Sequence, residues 1–330
     1  MSVVTEYARP REFIALAAFL MATIAFAIDM MLPAMGQMAI DLELSEPARI
    51  SWVILGIFAG LIFGQLVFGP LSDAIGRRGS IQIGIAIFLI GTGVCALTDS
   101  FEVLIAGRVL QGFGGAATRI VTQAMVRDRF AGREMARVMS FVMTIFILVP
   151  IFAPMIGQVV LWFGNWQMLF VTLGGFSAII LGWFSLRQPE TLTHRRTITV
   201  SHLSEALRTV LTNEQSLRFT LATGVSFGGL VSYLSSAQHI FQDIYQTGEW
   251  FPVLFGSTAA SIAISSLVNA NYVRRFGMET ICRIAFAVQI LWSAFFLALY
   301  VNGNPISLIA WLVYIVPVLF LMGLTFANLQ

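Results

Sequence analysis

Residues 69–81, GPLSDAIGRRGSI, form a short charged turn between two long apolar runs. Gly69 and Gly76 admit a close backbone approach or a positive φ where a bulkier residue is excluded. Gly69 also closes a G-x-x-x-x-G spacing from Gly64, of the kind found along helix interfaces rich in small residues. Asp73 precedes Arg77 by four residues and Arg78 by five, so an ion pair or a helix-end contact can latch one conformation. The same residues also suit a plain solvated turn whose arginines only set orientation.

The composition around this turn excludes an ordinary soluble protein. Of 330 residues, 58% are hydrophobic and 11% charged, with a mean hydropathy of +0.84. Apolar runs near the ~20 residues needed to cross a bilayer recur along the whole length. They lie near 13–34, 50–70, 80–98, 102–124, 137–160 and 167–186, then, after a polar break, near 217–240, 251–271, 281–300 and 306–327. The chain reads as an all-α polytopic membrane protein in three parts: a six-helix bundle over 1–186, a central loop over 187–216, and a second, incomplete bundle over 217–330. The first run is too long for a signal peptide and reads as a retained helix.

All 19 basic residues are arginine, and their placement gives the orientation. Arg9 and Arg11, Arg77 and Arg78, Arg127 to Arg137, the arginines of the central loop, and Arg274, Arg275 and Arg283 fall on one side, with only Arg49 opposite. By the positive-inside rule the N-terminus and central loop are cytoplasmic. Cys95 and Cys282 each fall inside an apolar run, which indicates neither a disulfide framework nor a metal cluster. His194, His202 and His239 have no ligand spacing, so no metal and no cofactor is expected.

A worn copy of the opening turn, NYVRRFGMETI over 271–281, follows the eighth run as the original follows the second. Aligning Gly277 with Gly76 suggests a parallel repeat of six helices. The same alignment sets Gln330 against Arg129, just past the fourth helix, so the second half holds four helices of six. The expectation is a piece of a longer twelve-helix protein, the alternative an unusual ten-helix form.

An ionisable residue inside a membrane helix costs about 2.5–3.5 kcal/mol on insertion scales and is a functional candidate by default. Asp29 lies some six residues short of the outer end of the first run, and Arg108 about six residues into the fourth. At 1.5 Å per residue both sit about 9 Å below the outer surface, so they can be partners. A cavity-facing carboxyl whose proton competes with an arginine or a cationic substrate suits proton coupling, whereas a static buried pair would only fix packing. Arg119 falls three turns after Arg108 on nearly the same face. It suits either an anion-attracting cavity position or one satisfied by helix carbonyls. Pro150, Pro154 and Gly157 permit a bend in the fifth run, a hinge or a plain kink. Met30, Phe146, Tyr233 and Gln238 are candidate linings of an adaptable apolar site.

These motifs resemble the major facilitator superfamily. The turn is similar to its loop G-x-L-A-D-R-x-G-R-R-x-x-L, matching at Gly69, Leu71, Asp73, Gly76, Arg77, Arg78 and the aliphatic Ile81, with Ser72 and Ala74 departing. R-x-x-Q-G-x-G-A from Arg108 resembles the fourth-helix motif of its proton-driven members. D-M-x-L-P from Asp29 and A-P-x-x-G from Ala153 look like the bicyclomycin-resistance group of drug:H⁺ antiporters. The resemblance implies a six-plus-six helical fold, with about ten of twelve helices present. It implies efflux of small amphipathic drugs across the inner membrane by a monomer, driven by the proton gradient, with alternating access, Asp29 titrating and Arg108 tuning it.

Other classes fit less well. A metabolite porter on the same fold needs more polar cavity positions, and a non-transporting degenerate relative leaves Asp29 and Arg108 without a use. An intramembrane serine hydrolase fails on geometry, since Ser226 and His239 are thirteen residues apart on one helix, about 20 Å. No feature points to an enzyme or to nucleic acid.

Overall fold

A computed structural model describes residues 10–193, 195, 208–303 and 306–329. Arg9, His194, Arg196, His202 and much of the predicted central loop lie outside the described residues. The chain divides into two compact units, residues 1–199 and 200–330, and the described residues contain helices and no strands.

In the first unit, α1 (Pro10–Asp29) passes through a 3₁₀ turn (Leu32–Ala34) into α2 (Met35–Asp41). Then follow α3 (Trp52–Ile75), α4 (Arg77–Leu97), α5 (Phe101–Arg129), α6 (Gly132–Leu161) and α7 (Gln167–Arg187). Pro33 accounts for the break after α1, because it has no N–H for the helical ladder. The apolar span nevertheless continues to Asp41, 32 residues in all. Asp29 is therefore twelve residues from the end of that span, against the expected six.

α5 is the axis of this unit, and small residues set how closely its neighbours approach. A Cβ on Gly112 would overlap the Ile57 carbonyl oxygen of α3, and one on Gly114 the Gly84 carbonyl of α4. Gly60 and Gly64 of α3 meet the α5 backbone at Val109 and Phe113 in the same way. The glycine seam of α3 thus runs through Gly60 and Gly64. Gly69, expected to extend it, has nothing within 4 Å of where its Cβ would stand and leaves the interface.

The second unit has α8 (Glu214–Gln238), extended by a π-helical turn (His239–Ile244), then α9 (Phe251–Phe276), α10 (Met278–Val301) and α11 (Leu308–Leu329). Asn213 caps α8 by accepting a hydrogen bond from the Ser216 N–H at 2.9 Å. The repeat seen in the sequence reappears in the backbone. Gly76 joins α3 to α4 at φ 107°, ψ 158°, and Gly277 joins α9 to α10 at φ 77°, ψ 153°. α11 packs on α9 and α10 as α5 packs on α3 and α4. In the first unit α7 covers α4. Among the described residues of the second unit nothing covers α10 in that way, and α8, α10 and α11 enclose a recess of about 300 Å³.

Eight helices among the described residues are long and apolar enough to cross a membrane by length and composition. The two expected spans that fall short are α5 and α8, of 29 and 25 residues. Their glycine, serine, threonine and glutamine, with the arginines of α5, lower their mean hydropathy. In α5 those residues face other helices: Arg108, Gln111, Thr118 and Thr122 are buried.

Gly112→Val forces a side chain into the Ile57 backbone and is expected to destabilise the unit by about 1–3 kcal/mol. Gly175→Ala on α7, where nothing lies within 4 Å, should be neutral or stabilising by up to about 1 kcal/mol. Unfolding midpoints of the purified protein in detergent, followed by tryptophan fluorescence, check both.

Candidate functional site

Two buried charged residues of the first unit, Asp29 and Arg108, bear on the C-terminal end of α1. Arg108 is 0% exposed. Its Nη2 donates to the Ala27 carbonyl at 2.9 Å, its Nε to the Val53 carbonyl at 3.0 Å and its Nη1 to Gln111 Oε1 at 2.6 Å. Gln111 Nε2 donates onward to Thr92 Oγ1 at 2.8 Å, and that hydroxyl donates to the Phe88 carbonyl at 2.7 Å. The Phe170 ring of α7 lies 5.8 Å from the guanidinium carbon. One arginine thereby ties together α1, α3, α4, α5 and α7. Hydrogen bonds to a charged group contribute about 1.5–3 kcal/mol each, so three offset the insertion cost of about 2.5–3.5 kcal/mol without a carboxylate.

Asp29 ends α1 and is 3% exposed. The expected direct partnership with Arg108 is not formed: among the described residues no ion pair joins them, and the guanidinium grips the carbonyl two residues before the carboxylate. The fifth-run motif reaches the same place. α6 is one continuous helix through Pro150 and Pro154, and a Cβ on Gly157 would overlap the Met30 carbonyl and approach the Pro33 ring. Gly157 therefore seats α6 against the break in α1, next to Asp29. Met30 is buried there and Phe146 is half-buried further along α6.

Arg119 is half-buried on α5, and among the described residues its guanidinium has no hydrogen bond or ion pair, so the carbonyl-satisfied alternative is not realised. Tyr233 and Gln238, the other candidate cavity residues, belong to the second unit. Tyr233 stacks on Phe255 with ring centroids 5.8 Å apart and shares a 2.6 Å hydrogen bond with Thr258. It lines the recess with Ser232, Gln289, Trp311 and Tyr314, while Gln238 is buried at the end of α8.

The opening turn closes a second polar cluster. Arg77 Nη1 donates to Asp73 Oδ1 at 2.6 Å and to Ser72 Oγ at 2.7 Å, and Nε donates to Asp128 Oδ2 at 2.9 Å. Arg78 Nη2 donates to the Ser185 carbonyl at 2.6 Å. Glu190, just past α7, accepts the backbone N–H of Arg77 at 2.9 Å and of Arg78 at 3.1 Å, filling the N-terminus of α4. At Gly76 the positive φ favours glycine, and a Cβ there would also push the Glu190 carboxylate off its place. Asp128 and Glu190 were not among the sequence candidates. Their signal is faint, an acid amid the arginines of VRDRF and another in RQPET, and their pairing spans 51 and 113 residues. Glu190→Ala should leave the Arg77 and Arg78 amides uncapped, at a cost of about 1–2 kcal/mol. Amide exchange across 76–82 is expected to quicken roughly tenfold, measured by hydrogen–deuterium exchange.

Comparison with known proteins then identifies the architecture. The family model described as Major Facilitator Superfamily matches residues 14–330. The MFS-type transporter YdgK of Bacillus subtilis (strain 168) is 30% identical over 303 residues, covering 90% of this chain and 75% of the relative. The bicyclomycin resistance protein homolog of Haemophilus influenzae is 29% identical, covering 81% of this chain and 67% of the relative. The multidrug resistance protein MdtL of Escherichia coli is 26% identical, covering 72% and 61%. This chain therefore spans about two thirds of the length of these relatives. Among solved structures, the nucleoside transporter NupG superposes with a TM-score of 0.72 at 15% identity, covering 96% of this chain and 80% of that one. A family match over nearly the whole length, on a bundle of long apolar helices, makes the chain a multi-pass membrane protein of the Major Facilitator Superfamily, a family of transporters and not of enzymes.

Proposed function

We propose that the protein exports small amphipathic, drug-like compounds across the cytoplasmic membrane in exchange for protons, by alternating access, as a monomer with its N-terminus in the cytoplasm. The observation that carries this reading is the Asp29 carboxyl, buried at the break in α1 with no ion pair among the described residues, two residues after the carbonyl that Arg108 holds. Relatives bearing drug-resistance names support the substrate class, and the one-sided arginines support the orientation.

In this mechanism Asp29 picks up a proton from one side and gives it up when substrate takes its place. Arg108 keeps its donors on Ala27, Val53 and Gln111 and so fixes the end of α1 that carries the carboxyl. The break between Asp29 and Pro33, seated on Gly157, is where α1 and α6 adjust as the carboxyl changes state. Met30 and Phe146 offer polarizable and aromatic surface to compounds of varied shape. The Arg77–Asp73–Asp128 cluster with Glu190 latches the cytoplasmic ends of α3, α4, α5 and α7 in one of the two states.

Two substitutions separate coupling from packing. Asp29→Asn is expected to abolish drug-dependent proton movement in proteoliposomes, read with a pH-sensitive dye and chloramphenicol as substrate, while the melting midpoint holds. Arg108→Ala is expected to lower the melting midpoint as well as transport, because it orphans buried acceptors at about 1–3 kcal/mol each. Wild-type exchange by Asp29→Asn would mean that the carboxyl only packs.

A further inference from the structure

α5 carries two arginines on one face, eleven residues or three turns apart, and the fold treats them differently. Arg108 is fully buried and has acceptors on three of its nitrogens. Arg119 is about 16 Å further along the helix. It is half-buried and, among the described residues, donates to nothing. Most carboxylates toward the same end of the unit are engaged elsewhere, Asp73 and Asp128 by Arg77, Glu190 by the start of α4, and Glu12 by Trp183 and Arg187, while Glu134 is exposed in the first turn of α6. One turn beyond Arg119, Thr122 is 1% exposed and its hydroxyl has no partner, and Gln123 beside it is half-buried. α5 thus carries, one turn apart, a guanidinium and a hydroxyl that no described residue engages, whereas Arg108, Gln111 and Thr118 on the same helix have partners. A guanidinium partly drawn out of water loses some of its hydration, and an anion is the partner that best restores it.

We infer that Arg119 is a substrate-recognition residue that selects compounds carrying a carboxylate or similar planar anionic group, so that the preferred cargo is an anionic or zwitterionic amphiphile. The planar fork of the guanidinium matches a carboxylate with two parallel hydrogen bonds, which a lysine ammonium cannot reproduce. Proton exchange through Asp29 and anion recognition through Arg119 are then separate tasks on separate helices. The inference rests on the proposed efflux activity for its biological meaning, but the binding site it assigns can be tested without transport.

The test compares one molecule with and without its charge: norfloxacin, a zwitterion with a carboxylate, and norfloxacin methyl ester. Uptake into inverted proteoliposomes of the full chain and equilibrium binding in detergent are measured for wild type, Arg119→Gln and Arg119→Lys. Wild type is expected to prefer the acid over the ester by about tenfold or more, equal to about 1.4 kcal/mol. Arg119→Gln is expected to lose that preference, and Arg119→Lys to keep only part of it. An acid-to-ester ratio that is near one in wild type, or that Arg119→Gln leaves unchanged, overturns the inference. If wild type moves neither compound nor chloramphenicol, the efflux reading fails, and the binding ratio of wild type still decides the role of Arg119. If Arg119→Gln does not fold, the comparison of Arg119→Lys with wild type decides it.

Discussion

A guanidinium inside an apolar bundle must be given acceptors, and the first unit is arranged around how Arg108 gets them. The Ala27 and Val53 carbonyls are available only because α1 and α3 come close to α5. For α3 that approach is possible because Gly60, Gly64 and Gly112 remove the side chains that would stand between the backbones. Gln111 passes the connection to Thr92 on α4. Loss of the glycine seam would therefore remove more than dispersion contacts, since it would pull acceptors away from a charge that cannot return to water.

Polar groups in this membrane protein fall into two kinds. Those with their partners in place act as fasteners: Arg108 within the bundle, and Arg77 with Asp73, Asp128 and Ser72 at the turn between α3 and α4. Those that are buried or half-buried without a protein partner, Arg119 and Thr122 among them, are costly where they stand. A transporter has a reason to carry such a cost, because what it carries must bind weakly enough to leave again. Asp29 belongs with this second kind, since it is buried at the end of α1 and no ion pair joins it among the described residues.

The two units also show what a structural repeat preserves. Gly76 and Gly277 hold the same backbone turn, yet the charges around them differ, since the position aligned with Asp73 is Arg274. Backbone geometry persists because a helix-to-helix reversal of this tightness needs glycine at positive φ. The side-chain latch depends on partners from other helices and is free to diverge.

Length and hydropathy of the apolar runs, the turn at 69–81 and the bias of the arginines are local properties, and they were enough to read a polytopic helical membrane protein and its family from the sequence. Spacing along one helix likewise singled out Asp29, Arg108, Arg119 and Gly157. What only the tertiary structure decided were relations between segments distant in the chain. Arg108 takes carbonyls and not the Asp29 carboxylate, Gly69 leaves the seam that Gly60 and Gly64 form, the first span runs on past Pro33 to Asp41, and Glu190 caps a helix that starts 113 residues before it. The physical reason is that hydrogen bonding and close packing in an apolar medium are settled by which backbones meet, and a one-dimensional pattern states what each helix offers without stating which neighbour receives it.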